Sequence, residues 1–113
     1  MIHGIGTDIV NIARFERAMK KWGARFKSRL FTDAELTYAE GKKRPALHLA
    51  ARFAAKEALI KAYGRFVTYK KIEIQRDPEG APKIEVEGES DLRFFVSISH
   101  EQEFAVAQVV IEK

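Results

Sequence analysis

The segment from Pro45 to Gly64 constrains the fold more than any other part of this chain. Pro45 suits the first turn of an α-helix and Gly64 suits a left-handed C-terminal cap, so the pattern predicts one long helix over residues 45–63. Seven alanines lie in this helix, at positions 46, 50, 51, 54, 55, 58 and 62. Because alanine side chains are short, a neighbouring backbone or a bulky ligand can approach the helix closely.

The first residues of the chain predict a β-strand that carries two glycines. Residues 2–10 are Ile-His-Gly-Ile-Gly-Thr-Asp-Ile-Val, and the two-residue period of a strand places Gly4, Gly6 and Asp8 on one face. A glycine inside a strand indicates that another group comes close to the backbone. A carboxylate beside two positions without side chains could seat a metal ion or a ligand, although a single aspartate at a strand end is more often a cap or turn residue.

Two stripes of different chemistry run along the next segment and predict an amphipathic helix that begins after Asn11. Apolar residues recur at spacings of three and four and mark the buried face: Ile12, Phe15, Met19, Trp22 and Phe26. Cations with the same period lie on another face: Arg14, Arg17, Lys21 and Arg25. The helix is therefore expected to present positive charge to solvent or to a partner.

The remaining segments complete an α+β pattern. Thr32 and Glu35 have the spacing of a capping box, which predicts a short helix that Gly41 ends. Alternating apolar residues then predict four strands, around residues 72–74, 84–86, 94–99 and 104–111. We expect an antiparallel meander that the first strand joins, packed on the long alanine-rich helix, and one domain over residues 1–113.

Composition excludes several classes of protein. The chain has no cysteine, which rules out disulfides, thiolate zinc sites and cysteine nucleophiles. No apolar run approaches the ~20 residues of a membrane helix, and the first residues do not have the pattern of a signal peptide. We therefore expect a soluble cytoplasmic protein that has no membrane partner.

The net charge of +4 is unevenly distributed along the chain. Residues 1–70 hold 15 Lys and Arg against 6 Asp and Glu, whereas residues 71–113 hold 5 against 10. Part of the surface should therefore attract phosphates, nucleic acid or an acidic protein. A charge-rich solvated surface without any partner is the simpler explanation.

Glu57 lies on a face of the long helix that small and apolar residues line. At 100° per residue, Ala50, Phe53 and Lys61 all lie within about 60° of it. An ordinary i,i+4 pair with Lys61 would explain this placement on an exposed helix. Asp8 offers a second explanation, because two carboxylates, one on the strand and one on the helix, could together hold Mg²⁺ beside a nucleotide-like phosphate ester.

Three motifs together are far more specific than any one of them. Gly-Ile-Gly-Thr-Asp-Ile-Val at 4–10, Arg-Phe-Ala-Ala-Lys-Glu-Ala at 52–58 with Lys61-Ala62, and Val-Ser-Ile-Ser-His at 96–100 follow one another along the chain. In this order and approximate spacing the chain resembles the holo-acyl-carrier-protein synthases, which are small 4′-phosphopantetheinyl transferases. The resemblance extends over nearly the whole chain.

The resemblance implies the 4′-phosphopantetheinyl transferase fold and a specific reaction. Members of the family transfer 4′-phosphopantetheine from coenzyme A to a serine of apo acyl carrier protein and release adenosine 3′,5′-bisphosphate. The reaction would depend on Mg²⁺ and would support fatty acid biosynthesis. By position, Asp8 and Glu57 match the magnesium ligands and Lys61 matches a residue that contacts the pyrophosphate, so these three are the expected catalytic residues.

The resemblance also assigns residues to coenzyme A and to the carrier. The positions that match contacts with coenzyme A are Lys43, Arg44, Arg52, Lys61, Gly64, Pro82 and His100. The positions that match the docking surface for the acidic carrier are Arg14, Lys21 and Arg25. Family members are homotrimers whose active sites lie between adjacent subunits, and the same assembly is expected here.

Two segments differ from the family pattern. After Gly64 a glycine-rich continuation is replaced by the shorter Arg65-Phe66-Val67-Thr68-Tyr69, in which the Arg65 side chain could substitute for backbone contacts with phosphate. The segment 89–93 is short at the point where relatives usually carry a further helix before the Ser-Ile-Ser-His strand.

Two other functions compete with the transferase. A small nucleic-acid-binding module would use the basic half of the chain together with Trp22 and Phe26. However, these aromatics fall on the predicted apolar stripe, and such a module leaves Asp8 and Glu57 unexplained. The third interpretation is an inactive trimeric descendant of the transferase, and the presence of Asp8, Glu57 and Lys61 argues against it.

Overall fold

A computed structural model describes all 113 residues as five β-strands and three α-helices with one 3₁₀ turn. The elements in chain order are β1 (Ile2–Asn11), α1 (Ile12–Leu30), α2 (Asp33–Glu40), α3 (Pro45–Tyr63), the 3₁₀ turn (Tyr69–Lys71), β2 (Ile72–Arg76), β3 (Pro82–Val86), β4 (Arg93–His100) and β5 (Phe104–Glu112). The predicted α+β class and the predicted elements are confirmed. None of the three α-helices combines the length and the apolarity that a membrane span needs.

The strands form two sheets where the sequence predicts one meander. β5 lies between β1 and β4 in a three-stranded antiparallel sheet, whereas β2 and β3 form a separate hairpin. β3 and β4 approach each other without pairing. Between them Gly88 adopts a left-handed conformation, with φ of 85°, and turns the chain away from the hairpin. β4 then pairs with β5 alone.

α3 packs across the inner face of the three-stranded sheet at very short range. A side chain at Gly4 would overlap the carbonyl oxygen of Ala62, and one at Gly6 would overlap the carbonyl oxygen of Ala58. The predicted close approach to the glycines of β1 is therefore confirmed, and the approaching group is the backbone of α3. Asp8 follows on the same face of β1, so this contact carries its carboxylate to the side of the helix.

Helix ends are formed by the residues that the sequence predicts. Asn11 accepts a hydrogen bond from the backbone N–H of Arg14, 2.9 Å long, and caps α1. Thr32 and Glu35 form a complete capping box at the start of α2. Gly64 caps α3 in the left-handed conformation, with φ of 81°. These caps satisfy backbone groups that would otherwise lack partners.

α1 is broken at Gly23, a feature that its periodicity does not reveal. Gly23 has φ of 73° and ψ of −159°, which lies outside the helical region. Ile12, Phe15 and Met19 are buried before the break, but Trp22 is 60% exposed. The prediction that Trp22 belongs to the buried stripe is wrong: Trp22 is the last residue before the break, and its ring is exposed beside the Lys21 ammonium.

Candidate active site

Asp8 and Glu57 line one cavity of about 490 Å³ between β1, α1 and α3. β1 places Asp8 there through the glycine contact with α3, and Glu57 lies on α3 itself. Phe15 and Phe53 provide apolar walls, and Arg14 from the first turn of α1 lies at the same cavity. The two carboxylates that the sequence suggests as a pair therefore line the same cavity. Their oxygen atoms are the hard donors that a divalent cation such as Mg²⁺ prefers.

Lys61 reaches across to β1 from the next turn of α3. Its ammonium donates to a carboxylate oxygen of Asp8 at 3.0 Å and to the carbonyl oxygen of Thr7 at 2.9 Å. The lysine side chain is half exposed, so this ion pair adds little stability. Lys61 does not pair with Glu57, so the ordinary i,i+4 pair is not what places Glu57 on this face. One N–H of the ammonium has no partner in the protein and can donate to a ligand.

Tyr69, for which no sequence motif predicts a role, is a neighbour of the two carboxylates. Its hydroxyl donates a hydrogen bond to the Oε1 atom of Glu57. Burial raises the pKa of the Tyr69 hydroxyl well above its ordinary value, and the hydrogen bond to Glu57 adds to this effect. The hydroxyl therefore stays protonated and acts as a donor. Tyr69 is twelve residues from Glu57, so no local spacing could have joined the two.

A second group of residues lies where α2, α3, β2 and β4 meet, and we call it the cationic cluster. Its members are Tyr38, Lys42, His48, Arg52, Arg76 and His100. The guanidinium carbon of Arg52 lies 4.2 Å from the centre of the Tyr38 ring, and the Lys42 ammonium lies 4.5 Å from it. The rings of His48 and His100 meet edge to face at 6.3 Å.

The cationic cluster has no carboxylate within salt-bridge distance. Burial would raise the pKa of Tyr38, but Arg76, Lys42 and Arg52 outweigh burial and lower it. Burial lowers the pKa of His48, and the charge of Arg52 lowers it further. Positive charge without a local counter-ion favours binding of an anion.

Arg52 offers the cationic cluster's clearest donor for an acceptor group of a ligand. The residue is only 2% exposed, yet its Nε–H has no hydrogen-bond partner. Its Nη1 donates to the carbonyl oxygen of His48 at 3.4 Å, which is a long hydrogen bond. A buried donor without a partner is costly, so an acceptor group supplied from outside would be stabilised here.

The other residues assigned to coenzyme A divide between the two ends of α3. Arg44 donates to the carbonyl oxygen of Gln102 at 3.1 Å, which joins the start of α3 to the turn after His100, and Lys43 is exposed beside it. Pro82 lies opposite Arg76 in the hairpin. Gly64 lies at the far end of α3, roughly 18 Å along the helix axis from Arg52 at 1.5 Å per residue.

Arg52 and Glu57 also point to different sides of α3. Five residues separate them, which is about 140° of rotation around the helix. The cavity that Asp8 and Glu57 line has no member of the cationic cluster in its wall, and neither group lines any of the other three main cavities. Within a single chain, the predicted site residues therefore form two separate groups, the cationic cluster and the Asp8–Glu57 pair. The sequence motifs alone do not reveal this separation.

Lys56, which precedes Glu57, is fully buried and was given no role from the sequence. Its ammonium donates to the carbonyl oxygen of Leu30 at 2.7 Å, to Oε1 of Glu35 at 2.7 Å and to the carbonyl oxygen of Tyr69 at 3.0 Å. The other oxygen of Glu35 accepts from the backbone N–H of Ile74 at 2.8 Å. Burial lowers the pKa of Lys56, and the charge of Glu35 opposes that effect.

The three residues predicted to dock the carrier are all exposed on α1: Arg14, Lys21 and Arg25. The exposed ring of Trp22 lies among them, with the Lys21 ammonium 5.1 Å from its centre. Because Arg14 also lies at the cavity of Asp8 and Glu57, the basic face of α1 leads directly to that cavity.

Comparison with known proteins identifies the family. The model of the 4′-phosphopantetheinyl transferase superfamily matches residues 4–109, and the chain belongs to this superfamily. The holo-[acyl-carrier-protein] synthase of Thermodesulfovibrio yellowstonii is 42% identical over 113 residues, covering 98% of this chain and 99% of the relative. That of Geobacter sulfurreducens is also 42% identical, over all of this chain and 99% of the relative. Within the superfamily, the chain is a member of the holo-[acyl-carrier-protein] synthase family.

Solved structures of the same family share the fold. The holo-(acyl-carrier-protein) synthase of Bacillus anthracis, solved in complex with CoA (3′,5′-ADP), superposes with a TM-score of 0.90 at 40% identity and covers 100% of this chain and 98% of that one. The Helicobacter pylori enzyme, solved in complex with coenzyme A, gives 0.86 at 32% identity over 96% of this chain and 99% of that one. The predicted transferase fold is confirmed.

Proposed function

We propose that this chain transfers 4′-phosphopantetheine from coenzyme A to a serine of apo acyl carrier protein and releases adenosine 3′,5′-bisphosphate. The observation that carries the proposal is the convergence of Asp8 and Glu57 on one cavity, which the basic face of α1 enters at Arg14. The solved relatives that contain coenzyme A support the choice of donor. We further propose that residues 1–113 act as one domain that serves fatty acid biosynthesis in the cytoplasm.

Asp8 and Glu57 fit the magnesium ion that such a transfer needs. Mg²⁺ binds through one or two protein carboxylates and completes its shell with water and phosphate oxygens. A bound Mg²⁺ supplies neutralisation of the charge that spreads over a pyrophosphate. In this proposal the two carboxylates hold the ion, and together with Lys61 they form the catalytic set.

Lys61 and the carboxylates would handle the reacting groups. The N–H of Lys61 that has no protein partner can donate to a pyrophosphate oxygen while Asp8 holds the ammonium at 3.0 Å. As the serine oxygen bonds to the β-phosphorus, the bond to the bridging oxygen breaks and the bisphosphate leaves. The serine proton would pass through water to Asp8 or Glu57.

The cationic cluster would bind the adenosine 3′-phosphate end of coenzyme A. Arg52 offers a buried N–H without a partner, and His100 contributes a ring that packs against His48. Lys43 and Arg44 flank this group at the start of α3, and Pro82 lies nearby on the hairpin. A phosphate would supply the counter-ion that the protein itself does not provide.

The separation of the two groups supports a homotrimer with sites between subunits. One chain alone does not bring the cationic cluster to the Asp8–Glu57 cavity. The outer face of the three-stranded sheet exposes Ile5, Ile9 and Phe95, each by more than half. Burying these side chains against neighbouring copies is favourable. In the proposed trimer, the cationic cluster of one subunit completes the cavity of the next.

The carrier would dock on α1 through Arg14, Lys21 and Arg25, because an acidic partner is attracted by a basic face. The exposed Trp22 lies on this face and could contact an apolar side chain of the carrier. A nucleic-acid-binding module would also use this basic face and the exposed Trp22, so binding to random DNA in low salt is the appropriate comparison.

Mass spectrometry of an apo carrier incubated with this protein, coenzyme A and Mg²⁺ tests the proposal. We expect the carrier to gain the mass of one phosphopantetheinyl group. A carrier whose target serine is replaced by alanine should gain nothing. Glu57→Gln should abolish most of the transfer, since the variant keeps the size of the side chain and removes its charge. Full activity of Glu57→Gln, or no mass gain with any acidic carrier, would contradict the proposal.

A further inference from the structure

Glu57 is held by one hydrogen bond that uses only one of its two carboxylate oxygens. Oε1 accepts the hydroxyl of Tyr69, and no protein group donates to Oε2. Glu57 is half-buried at the cavity that it shares with Asp8. A glutamate side chain free of such a contact would sample several rotamers, and fixing them costs conformational entropy when a ligand binds.

Tyr69 is itself fixed from two directions by α3. Its carbonyl oxygen accepts from the ammonium of Lys56 at 3.0 Å, while its hydroxyl donates to Glu57, the next residue of the helix. Lys56 is in turn anchored to Glu35 at 2.7 Å in the protein interior. The Tyr69 ring packs against Phe53 on α3, with ring centres 5.6 Å apart.

This arrangement has the form of an outer-shell contact to a metal ligand. Groups that hydrogen-bond to a ligating side chain fix its orientation, and their loss commonly weakens metal binding by about tenfold or more. Tyr69 lies in the segment that replaces the glycine-rich continuation expected after Gly64, so this contact belongs to the part of the chain that differs from the family pattern.

We propose that the Tyr69 hydroxyl is a positioning group that holds Glu57 with one carboxylate oxygen free for a divalent cation. The inference rests on the proposed function, because it takes Glu57 as a cation ligand. Tyr69 acts through Glu57 and does not touch the reacting groups itself.

Tyr69→Phe tests the inference because it removes the hydroxyl and keeps the ring. Mn²⁺ binding, followed by electron paramagnetic resonance in the presence of coenzyme A, is expected to weaken about tenfold. The Mg²⁺ concentration that gives half-maximal transfer should rise by a similar factor, with kcat at saturating Mg²⁺ much less affected. Tyr63→Phe is the matched control, because its hydroxyl contacts Glu89 and not Glu57. It should leave Mn²⁺ binding unchanged.

Two further variants separate positioning from a structural role. Tyr69→Leu removes ring and hydroxyl together and should lose the same factor in Mn²⁺ affinity, so either variant can carry the test if thermal melting shows that the other does not fold. In a Glu57→Gln background, Tyr69→Phe should have no additional effect on Mn²⁺ binding.

The outcomes distinguish the inference from the function on which it rests. If the wild-type chain modifies the carrier but Tyr69→Phe binds Mn²⁺ as tightly as wild type, the inference is overturned and the proposed function stands. The same holds if the effect of Tyr69→Phe persists undiminished with Glu57→Gln. If the wild-type chain neither binds Mn²⁺ nor modifies any carrier, the proposed function is overturned and the inference with it.

Discussion

At the residue scale, Lys56 is the side chain whose environment departs most from what is usual. A fully buried ammonium is tolerated only because each of its three N–H groups has an acceptor and Glu35 supplies the opposite charge. Lys56→Met would leave the Glu35 carboxylate buried without its partner. We expect the variant to lose about 3–5 kcal/mol of unfolding free energy, measured by urea denaturation.

The control for this prediction is Lys20→Met, at an exposed position of α1. It should change the unfolding free energy by less than about 0.5 kcal/mol. A Lys56→Met protein as stable as wild type would contradict the interpretation that the buried ion pair holds Glu35 and the 3₁₀ turn in place.

His48 gives a prediction about pH. Burial lowers its pKa below the ordinary 6.5, and Arg52 lowers it further. Below pH 6.5 the unfolded chain therefore binds a proton that the folded chain resists, so stability falls as the pH drops through 6.5 towards the pKa of the folded state. His48→Gln should flatten this dependence between pH 7 and pH 5 in urea titrations. Equal pH slopes for wild type and variant would contradict the prediction.

At the scale of elements, the contact between β1 and α3 fixes the distance between Asp8 and Glu57. A Cβ atom at Gly6 would lie 2.7 Å from the backbone nitrogen of Ala62 and closer still to the carbonyl oxygen of Ala58. Gly6→Ala should therefore push the strand from the helix, cost about 1–3 kcal/mol or more, and reduce transfer more than the stability loss explains.

Gly41→Ala is the matched control for Gly6→Ala. A Cβ atom at Gly41 would lie at an ordinary 3.7 Å from the carbonyl oxygen of Tyr38, and the residue has φ of −78°. Thermal melting and transfer rate should both stay near the wild-type values. If Gly6→Ala behaved like Gly41→Ala, the strand and helix would not be in the tight contact described above.

Local patterns predicted the elements where the relevant physics is local. Pro45 and Gly64 mark the ends of α3 because both act through their own backbone conformation. The periodicity of the apolar residues does not predict the break at Gly23, because an isolated glycine occurs both in regular helices and at breaks. Trp22 has the spacing of the apolar stripe, yet at the end of the regular part of the helix its ring is exposed.

At the scale of the whole molecule, the exposed sheet face predicts self-association. Ile5→Glu would place a charge on the apolar surface that the proposed subunits share. We expect light scattering to report three times 12.9 kDa for wild type and a smaller mass for the variant, with transfer lost in parallel. Thr37→Glu, at an exposed position of α2, should stay trimeric. A wild-type chain that is monomeric and fully active would contradict the proposal.

Contacts between side chains that lie far apart in the chain could not be predicted from the sequence. The sequence was sufficient to suggest Asp8 and Glu57 as a pair, because a carboxylate on a glycine-bearing strand and one on an alanine-rich helix could share a cation, and the two do line one cavity. The sequence did not reveal the bond between Tyr69 and Glu57, nor the contact of Lys56 with Glu35, since each joins side chains of ordinary type that only the tertiary fold brings together. The division of the strands into two sheets likewise depends on contacts between distant segments.

The burial of Lys56 has a practical consequence for observing this molecule in motion. An acylating reagent can reach its amine only after α2, α3 and the 3₁₀ turn have come apart, whereas exposed lysines such as Lys20 react at once. The rate at which a peptide containing Lys56 acquires the label would therefore measure large-scale opening of the fold. A slower rate in the presence of coenzyme A would report how strongly the ligand stabilises the closed state.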